Sequence, residues 1–360
     1  MEVIITAQPQ AEPTALLYGA TGYSGQLILA ECLARGLRPI LGGRSEAVSV
    51  LARTHGLESR VIGLDDPAAL RRALNGVAAV LHCAGPFSRT SRPMADACLA
   101  ARAHYLDITG EIGVFEALAA RTEEARAAGV MLLPGTGFDV VPSDCLSAHL
   151  KARLPDAVRL ILAFESSGGL SRGTATTMVE NISRGGAIRR GGRITPVPAG
   201  WKTIRVDLGK GPVEVTSIPW GDVATAWYST GIANIEVYTR ISRGMRSGLK
   251  ASRYLGWLLA SGPVQRMLKG KIRSGAPGPG PAARARGVSR VLGEVTNAAG
   301  KRARARLTGP EGYTMTARTA VAALMRTLAG GATPGFRTPA LAFGPDFILS
   351  IEGVTREDLE

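Results

Sequence analysis

Cysteine, histidine and aromatic residues are scarce in this sequence of 360 residues. Four cysteines and four histidines are scattered along it, and aromatic side chains make up 5%. No two cysteines form a C-x-x-C pair, and each stands in an apolar segment, as small buried hydrophobic residues do in a reducing compartment. We therefore expect a cytoplasmic protein without disulfides and without a metal site.

Long apolar runs are absent as well. The apolar patch at residues 254–260 is far shorter than the ~20 residues that a membrane-spanning helix needs. Residues 1–13 lack the basic start and apolar core of a signal peptide, and we expect them to form a flexible N-terminal extension. We predict no transmembrane span. No Tyr-x-x-x-Lys pair occurs, which argues against a short-chain dehydrogenase that uses that tyrosine as its acid.

Acidic residues are few in the middle of the chain. Residues 151–310 hold 27 Lys and Arg against 8 Asp and Glu, whereas residues 1–150 hold 12 against 15. A basic middle region suits an acidic carrier domain or peripheral contact with a membrane, and general solubility explains it equally well. No basic motif interleaved with aromatic residues is present, so we predict no nucleic-acid partner.

A glycine-rich turn follows an apolar run near the start of the chain. The run at residues 16–18 leads into Gly19, Gly22 and Gly25, and the helical spacing of apolar residues begins at Leu27. Glycines allow a sharp turn and close approach to a ligand, and the free N–H groups at a helix start suit a diphosphate. The spacing G-x-x-G-x-x-G is typical of NADP-dependent reductases, although a plain strand–helix turn shares the pattern.

The end of the second predicted strand favours NADP over NAD. An NAD-binding unit usually has an acidic residue there for the ribose hydroxyls, but this strand ends in Gly43, Arg44 and Ser45. A guanidinium and a hydroxyl would bind a 2′-phosphate, and no carboxylate at the tip repels it. A solvated surface role for Arg44 is the alternative.

The order of predicted elements indicates an α/β protein with a Rossmann-type doubly wound parallel sheet. Strands and helices alternate over residues 15–133, which predicts about six parallel strands. Ser45, Asp66 and Ser143 are expected to cap the helices that follow them, and a single helix is expected over residues 115–128. Beyond residue 150 the pattern is mixed. Residues 202–207 and 213–216 are expected to pair as a hairpin, and residues 275–281 form an irregular Gly-Pro run. We predict an NADP-binding domain at residues 14–145 plus about 312–350, and an α+β substrate domain with a mixed sheet at residues 146–311.

Five motifs occur together in one known family. They are YGATGYSG at 18–25, GGRS at 42–45, AGPF at 84–87, YLDITGE at 105–111 and GFDVVPSD at 137–144. With them the chain resembles the saccharopine dehydrogenase-like NADP-binding oxidoreductases, and within that family the trans-acting enoyl reductases. The resemblance implies NADP(H)-dependent chemistry on polyketide- or lipid-type chains. The G-x-G turn of saccharopine dehydrogenases proper is missing, so the resemblance to the family does not imply an amino-acid substrate.

These motifs supply the candidate site residues. The cofactor contacts that we predict are Gly19, Thr21, Gly22, Tyr23, Ser24, Gly25, Arg44, Ser45, Ala84, Gly85, Pro86, Phe87 and Gly110. Phe87 would wall the nicotinamide ring, or would only pack its own loop. Glu111 and Asp139 are the candidate catalytic acids, because a buried carboxyl with a raised pKa can donate a proton. Anchoring the backbone is the other common role of such carboxylates.

The function we expect is NADPH-dependent hydride transfer to a hydrophobic substrate, an enoyl or acyl compound either free or bound to a carrier. A homodimer is compatible with this function. Two alternatives stay open from the sequence. One is a saccharopine-type amino-acid or imine dehydrogenase that holds carboxylates with arginines of the basic region. The other is a non-catalytic NADP(H)-binding sensor or scaffold.

Overall fold

Sheet A, the first of two sheets, is built mainly by strands of the first 133 residues. The computed structural model describes residues 13–181 and 185–360. The strands of this part are β1 (Thr14–Tyr18), β2 (Ile40–Gly43), β3 (Ser59–Val61), β4 (Val77–His82), β5 (His104–Asp107) and β6 (Met131–Leu133). The helices are α1 (Tyr23–Ala34), α2 (Ala47–Thr54), α3 (Pro67–Arg72), α4 (Phe87–Ala101), α5 (Ile112–Ala119), α6 (Thr122–Ala128) and α7 (Val141–Arg153).

The later residues build sheet B and return once to sheet A. The strands are β7 (Ala157–Ser166), β8 (Gly186–Arg190), β9 (Arg193–Val197), β10 (Thr203–Asp207), β11 (Pro212–Ser217), β12 (Asn234–Thr239), β13 (Val288–Asn297), β14 (Arg302–Pro310), β15 (Gly335–Phe336) and β16 (Thr355–Leu359). The helices are α8 (Arg172–Asn181), α9 (Asp222–Thr230), α10 (Arg243–Leu259), α11 (Gly262–Ser274), α12 (Pro281–Arg286), α13 (Gly312–Arg326) and α14 (Pro339–Phe343). A π-helical turn lies at Thr327–Gly331 and a 3-10 turn at Phe347–Ser350.

Sheet A is a doubly wound parallel sheet. Its seven strands lie in the order β15-β6-β5-β4-β1-β2-β3, and every pair is parallel. The chain moves outward from β1 to β3 on one side and resumes at β4 on the other. Such a reversal leaves a crevice at the carboxyl ends of β1 and β4, where ligands bind in folds of this kind. The predicted Rossmann-type sheet is therefore confirmed, with one strand more than expected because β15 joins its edge.

Sheet B is mixed, as the sequence predicted for the substrate domain. Its main path is β10-β11-β12-β7-β13-β14-β16, and the β8–β9 hairpin branches from β12. Strands β7 and β12 are parallel, and β13 pairs antiparallel with β7 on its other side. The hairpin of β10 and β11 has the predicted antiparallel pairing. The β8–β9 hairpin and the last strand, β16, were not predicted.

One apolar cluster connects the two sheets. It contains Leu17 and Leu41 of sheet A, Leu150 of α7, and Val295 and Leu307 of sheet B, all essentially inaccessible to solvent. Helix α13 packs against α1, so the chain segment after β14 lies on the first sheet. This packing supports the proposed division of the chain, in which residues after about 312 return to the NADP-binding domain. Among the described residues, no helix combines the length and apolarity needed to cross a lipid bilayer.

Local predictions fail mainly at helix starts. Ser45 was expected to cap α2, but the helix begins one residue later with Glu46 at the cap position and no side-chain cap. Ser143 was expected to cap α7, but the helix already starts at Val141, and Ser143 lies inside its first turn. The single helix predicted at residues 115–128 is two helices, α5 and α6. The predicted N-terminal extension lies, except for residue 13, outside the described residues.

Candidate cofactor and active site

The glycine turn after β1 is folded as a dinucleotide-binding turn requires. The N–H of Gly19 donates to the carbonyl oxygen of Gly42 at 2.8 Å, and its φ of +89° lies in the region that favours glycine. A Cβ on Gly19 would come within 2.9 Å of the Ala84 nitrogen, and one on Gly25 would lie 2.3 Å from the Gly19 oxygen. A side chain at either position would therefore displace the backbone of the turn.

The start of α1 offers free backbone donors at the crevice. Gly22 occupies the cap position, no side chain caps the first turn, and the first turn contains no acidic residue. Thr21 and Gly22 are exposed, whereas Tyr23 and Ser24 are half-buried. Unpaired N–H groups and the positive end of the helix dipole make this a suitable seat for a diphosphate.

Arg44 and Ser45 stand at the end of β2, one strand away from that turn. Both side chains are exposed, and Arg44 forms no hydrogen bond or ion pair with any described residue. Burial raises the pKa of Tyr18, and the charge of Arg44 opposes that shift, so the guanidinium lies close to the strand ends. Asp65 also acts on Tyr18 and brings one negative charge to this region. A free guanidinium beside an exposed hydroxyl fits a 2′-phosphate.

The loop after β4 is held by Glu111. The N–H groups of Phe87 and Ser88 donate to its two carboxylate oxygens at 2.8 and 3.1 Å, so Glu111 satisfies the free donors at the start of α4. The ring of Phe87 stands edge-on against His82 at 5.4 Å. Burial lowers the pKa of His82 to about 3, so this imidazole is neutral. The structure thus brings the predicted residues Phe87 and Glu111 together, with Glu111 in an anchoring contact.

Asp107, at the end of β5, fixes the neighbouring strand ends. Its carboxylate accepts hydrogen bonds from the N–H groups of Thr109 and Gly135, both at 2.9 Å, and from the hydroxyl of Tyr105 at 2.6 Å. Burial raises the pKa of Asp107 to about 6, and these hydrogen bonds oppose the shift. Both of its carboxylate oxygens accept hydrogen bonds from the surrounding fold, so Asp107 positions the loops after β5 and β6.

Asp139 differs from Asp107 and Glu111 because its side chain has no hydrogen-bond partner among the described residues. It is half-buried after β6, and a Cβ on Gly110 would lie 2.9 Å from its Oδ2. Burial raises the pKa of Asp139 to about 7. A carboxyl group that is protonated near neutral pH and not engaged by the fold has the properties of a general acid.

Sequence reasoning missed two elements around Asp139. One is Trp220, whose indole N–H donates to the Asp139 carbonyl oxygen at 2.8 Å. The other is Asp222, fully buried, with neither carboxylate oxygen hydrogen-bonded. Burial raises the pKa of Asp222 well above its usual value, and the charges of Asp144 and Asp139 add to this shift. The carboxylate of Asp144 itself accepts hydrogen bonds from the Ser229 hydroxyl and from the N–H of Ala340. No motif or spacing in the sequence predicts that Asp222 lies near Asp139.

A loop of the second sheet covers the start of α1. The Tyr23 hydroxyl donates to the Pro279 carbonyl oxygen at 2.6 Å, and the Arg284 guanidinium donates to that hydroxyl at 3.1 Å. The ring of Tyr313 stands edge-on to that of Tyr23, with centroids 5.1 Å apart. A Cβ on Gly278 would lie 2.6 Å from the Tyr23 ring. The predicted irregular Gly-Pro run therefore reaches the phosphate-binding end of the crevice.

Comparison with known proteins identifies the first part of the chain. Residues 15–133 match the family described as Saccharopine dehydrogenase NADP binding domain. These residues, about a third of the chain, are similar to that domain. The uncapped α1 start and the free Arg44 fit the dinucleotide that the domain implies, so the cofactor is NADP(H). Among the described residues, no group of three His, Cys, Asp or Glu side chains is placed to hold a metal ion.

Curated relatives of the NADP-binding domain carry two kinds of name. A putative trans-acting enoyl reductase of Mycobacterium tuberculosis is 32% identical over 200 residues, which are 50% of this chain and 46% of the relative. A probable mitochondrial saccharopine dehydrogenase-like oxidoreductase of Arabidopsis thaliana is 26% identical over 184 residues, 45% of this chain and 40% of the relative. Each match thus covers less than half of the relative's length.

The fold of the whole chain has a counterpart among solved structures. Apo saccharopine dehydrogenase (L-Glu forming) from Saccharomyces cerevisiae superposes with a TM-score of 0.65 at 12% identity, covering 97% of this chain and 100% of that one. At this identity the similarity establishes the architecture of the two sheets. The chain is thus similar to an NADP-binding domain over residues 15–133 and shares its overall fold with a saccharopine dehydrogenase.

Proposed function

We propose that the protein is an NADPH-dependent reductase of a hydrophobic enoyl or acyl substrate of the polyketide or lipid type. Bound NADPH supplies a hydride and leaves as NADP⁺. The chain supplies the binding site, the orientation of the substrate and the proton that completes reduction of a carbon–carbon double bond. Relatives named trans-acting enoyl reductase support this choice.

The state of Asp139 is the observation that carries the proposal. It lies beyond the carboxyl end of β6, its pKa is raised to about 7 by burial, and no described side chain occupies its oxygens. In this proposal Asp139 donates the proton. Glu111, the other candidate acid, has both oxygens bound to the backbone of α4, so we assign it a positioning role instead.

Aromatic side chains beside Asp139 support an apolar substrate. The ring of Trp220 lies 4.9 Å from that of Phe164, and Phe138, adjacent in the chain to Asp139, stands edge-on to Phe164 at 6.0 Å. Burial raises the pKa of Asp139, and no described Arg or Lys forms a hydrogen bond or ion pair with that carboxyl. An amino-acid substrate needs such a cation for its carboxylate, and this favours the enoyl substrate over the imine alternative.

Turnover assays separate the candidate functions. NADPH oxidation is followed with medium- and long-chain enoyl thioesters, with 2-oxo acids plus amines, and with aldehydes. We expect oxidation with the enoyl thioesters, at a rate that increases with chain length. Faster turnover of 2-oxo acids with amines would establish the dehydrogenase instead. Tight NADPH binding without turnover of any substrate would leave the sensor function.

A further inference from the structure

The helical hairpin formed by α10 and α11 presents large apolar side chains to solvent. Tyr254 is 83% exposed, Trp257 76% and Met267 66%. Scattered single apolar residues are ordinary on a protein surface, but a group of this size on one hairpin marks a surface that meets a partner. None of these side chains belongs to the site around Asp139.

Helical spacing places the exposed residues at the end of the hairpin. Trp257 and Leu258 follow Tyr254 by three and four residues, so the three side chains lie on one face of α10. The chain turns directly afterwards, where the N–H of Ser261 donates to the Leu258 carbonyl oxygen at 3.0 Å. Lys250 lies one turn before Tyr254 on the same face. We call this end of the hairpin, residues 254–263, the tip.

The hairpin is strongly cationic. No Asp or Glu occurs between Glu236 and Glu294, whereas twelve Lys and Arg do. Some of these cations are neutralised by acids of other segments, as Lys269 is by Glu180 at 2.7 Å. Others are exposed on the hairpin without an acidic partner among the described residues, namely Lys250, Arg266, Lys271 and Arg273.

We propose that this hairpin docks on an anionic lipid surface, with the tip in the head-group layer. Tyr and Trp prefer this layer because their rings are apolar and their polar atoms reach water. The free cations on both helices would lie against lipid phosphates, which attract each nearby Lys or Arg. The inference stands apart from the proposed reaction, since it uses none of the residues around Asp139.

Charge argues against a second copy of the chain as the partner. A two-fold dimer through the tip would bring the same surface of both copies together. The cations beside the tip, Lys250 and Arg266 among them, would then face their own counterparts without intervening carboxylates. An anionic lipid surface complements that charge.

Vesicle sedimentation of the full chain tests the proposal. The vesicles contain phosphatidylcholine alone, or phosphatidylcholine with about one quarter phosphatidylglycerol. The first variant is Tyr254→Ser with Trp257→Ser, in the tip, and the second is Lys250→Glu with Arg266→Glu, directly beside it; we call both tip variants. The matched controls are Val50→Ser, an exposed apolar residue of α2, and Lys301→Glu with Arg302→Glu, which changes the net charge equally at the exposed start of β14 and in the turn before it.

We expect the protein to prefer the anionic vesicles by about tenfold or more at low salt, and the preference to shrink as salt is added. Each tip variant should bind about tenfold more weakly, whereas the controls should bind nearly as the parent does. Unchanged NADPH binding and unfolding temperature would show that the variants fold.

Three results would overturn the proposal. The first is no vesicle binding by the parent protein. The second is equal loss in the two charge-reversal variants, which would show attraction by net charge alone. The third is self-association, measured by light scattering, or binding to an isolated acidic carrier protein. If either depends on Tyr254 and Trp257 while vesicle binding does not, the tip meets a protein partner.

Discussion

The indole N–H of Trp220 donates a 2.8 Å hydrogen bond to the carbonyl oxygen of Asp139. Trp220 lies in the connection from β11 to α9, in the part of the chain that builds sheet B, whereas Asp139 follows β6 of sheet A. The backbone that carries the candidate acid is therefore held by both parts of the chain. The position of the Asp139 carboxyl depends on the packing of the two sheets as much as on its own loop.

The activity of the protein should follow the protonation of Asp139. Because burial raises its pKa to about 7, the acid form predominates below that pH, and turnover should fall as the pH rises through it. Asp139→Asn should lower kcat by about 10²-fold or more and remove this pH dependence, while NADPH affinity stays the same. An unaltered pH profile in the variant would assign the proton to another group.

The stability of the fold should also depend on Asp139. A carboxyl with a raised pKa in the folded state stabilises the fold fully below its ordinary pKa, and that contribution is lost as the pH rises to about 7. The side chain that replaces the carboxyl in Asp139→Asn does not titrate. The free energy of unfolding of the variant, relative to that of the parent, should therefore increase by on the order of 1–3 kcal/mol from pH 4 to pH 8. Urea unfolding at both pH values measures this gain. No gain with pH would mean that the carboxyl is well solvated.

Arg44 should decide between the two nucleotides. Arg44→Ala should weaken NADPH binding by on the order of 1.5–3 kcal/mol through loss of a charge-assisted contact, and leave NADH binding nearly unchanged. Titration calorimetry with both nucleotides measures the difference. Arg53→Ala, another exposed arginine on nearby α2, is the matched control. Equal losses for NADPH and NADH would refute the assignment of the 2′-phosphate to Arg44.

Substitutions at two glycines with positive φ distinguish the effect of backbone strain from that of a steric clash. Gly19 and Gly36 have φ of +89° and +77°, but a Cβ meets Ala84 in the first case and nothing within 4 Å in the second. Gly36→Ala should cost about 1 kcal/mol of stability and leave cofactor affinity intact. Gly19→Ala should cost more and weaken NADPH binding at least about tenfold. Similar affinities for the two variants would exclude Gly19 from the cofactor site.

Glu111 should behave as a positioning residue. Glu111→Gln replaces one acceptor with an amide donor that faces the N–H of Phe87 or Ser88, so the start of α4 should lose about 1–2 kcal/mol. We expect a higher KM for NADPH and the same pH profile as the parent. If Glu111→Gln instead lowers kcat and removes the fall in turnover near pH 7, Glu111 is the proton donor.

The first sheet could be predicted from the sequence because its signals are local. The glycine turn, the apolar strand and the helix after it occupy adjacent residues, and the ordered alternation of strands and helices restricts the connections that are possible. Asp66 caps α3 as expected, through the N–H of Ala69. Helix starts were less predictable, since Ser45 and Ser143 have capping side chains but the backbone begins each helix elsewhere.

The second sheet and the surroundings of Asp139 depend on contacts between distant residues. Strand β7 pairs with β12 on one side and β13 on the other, and no local pattern in the sequence specifies either neighbour. Asp222 is close enough for its pKa to respond to the charge of Asp139 only because α9 packs on α7. The sequence identified Asp139 as a candidate acid, but only the packing shows that its carboxyl is free while that of Glu111 is bound.

The contact between Gly278 and the ring of Tyr23 restricts how this protein can evolve. Any side chain at position 278 would meet the ring within 2.6 Å, so a larger residue there requires a smaller one at position 23. The nucleotide-binding turn and the proline-rich loop above it are therefore inherited as one unit. In a set of descendants these two distant positions should change together, and a chimaera that exchanges only one of them should lose cofactor affinity.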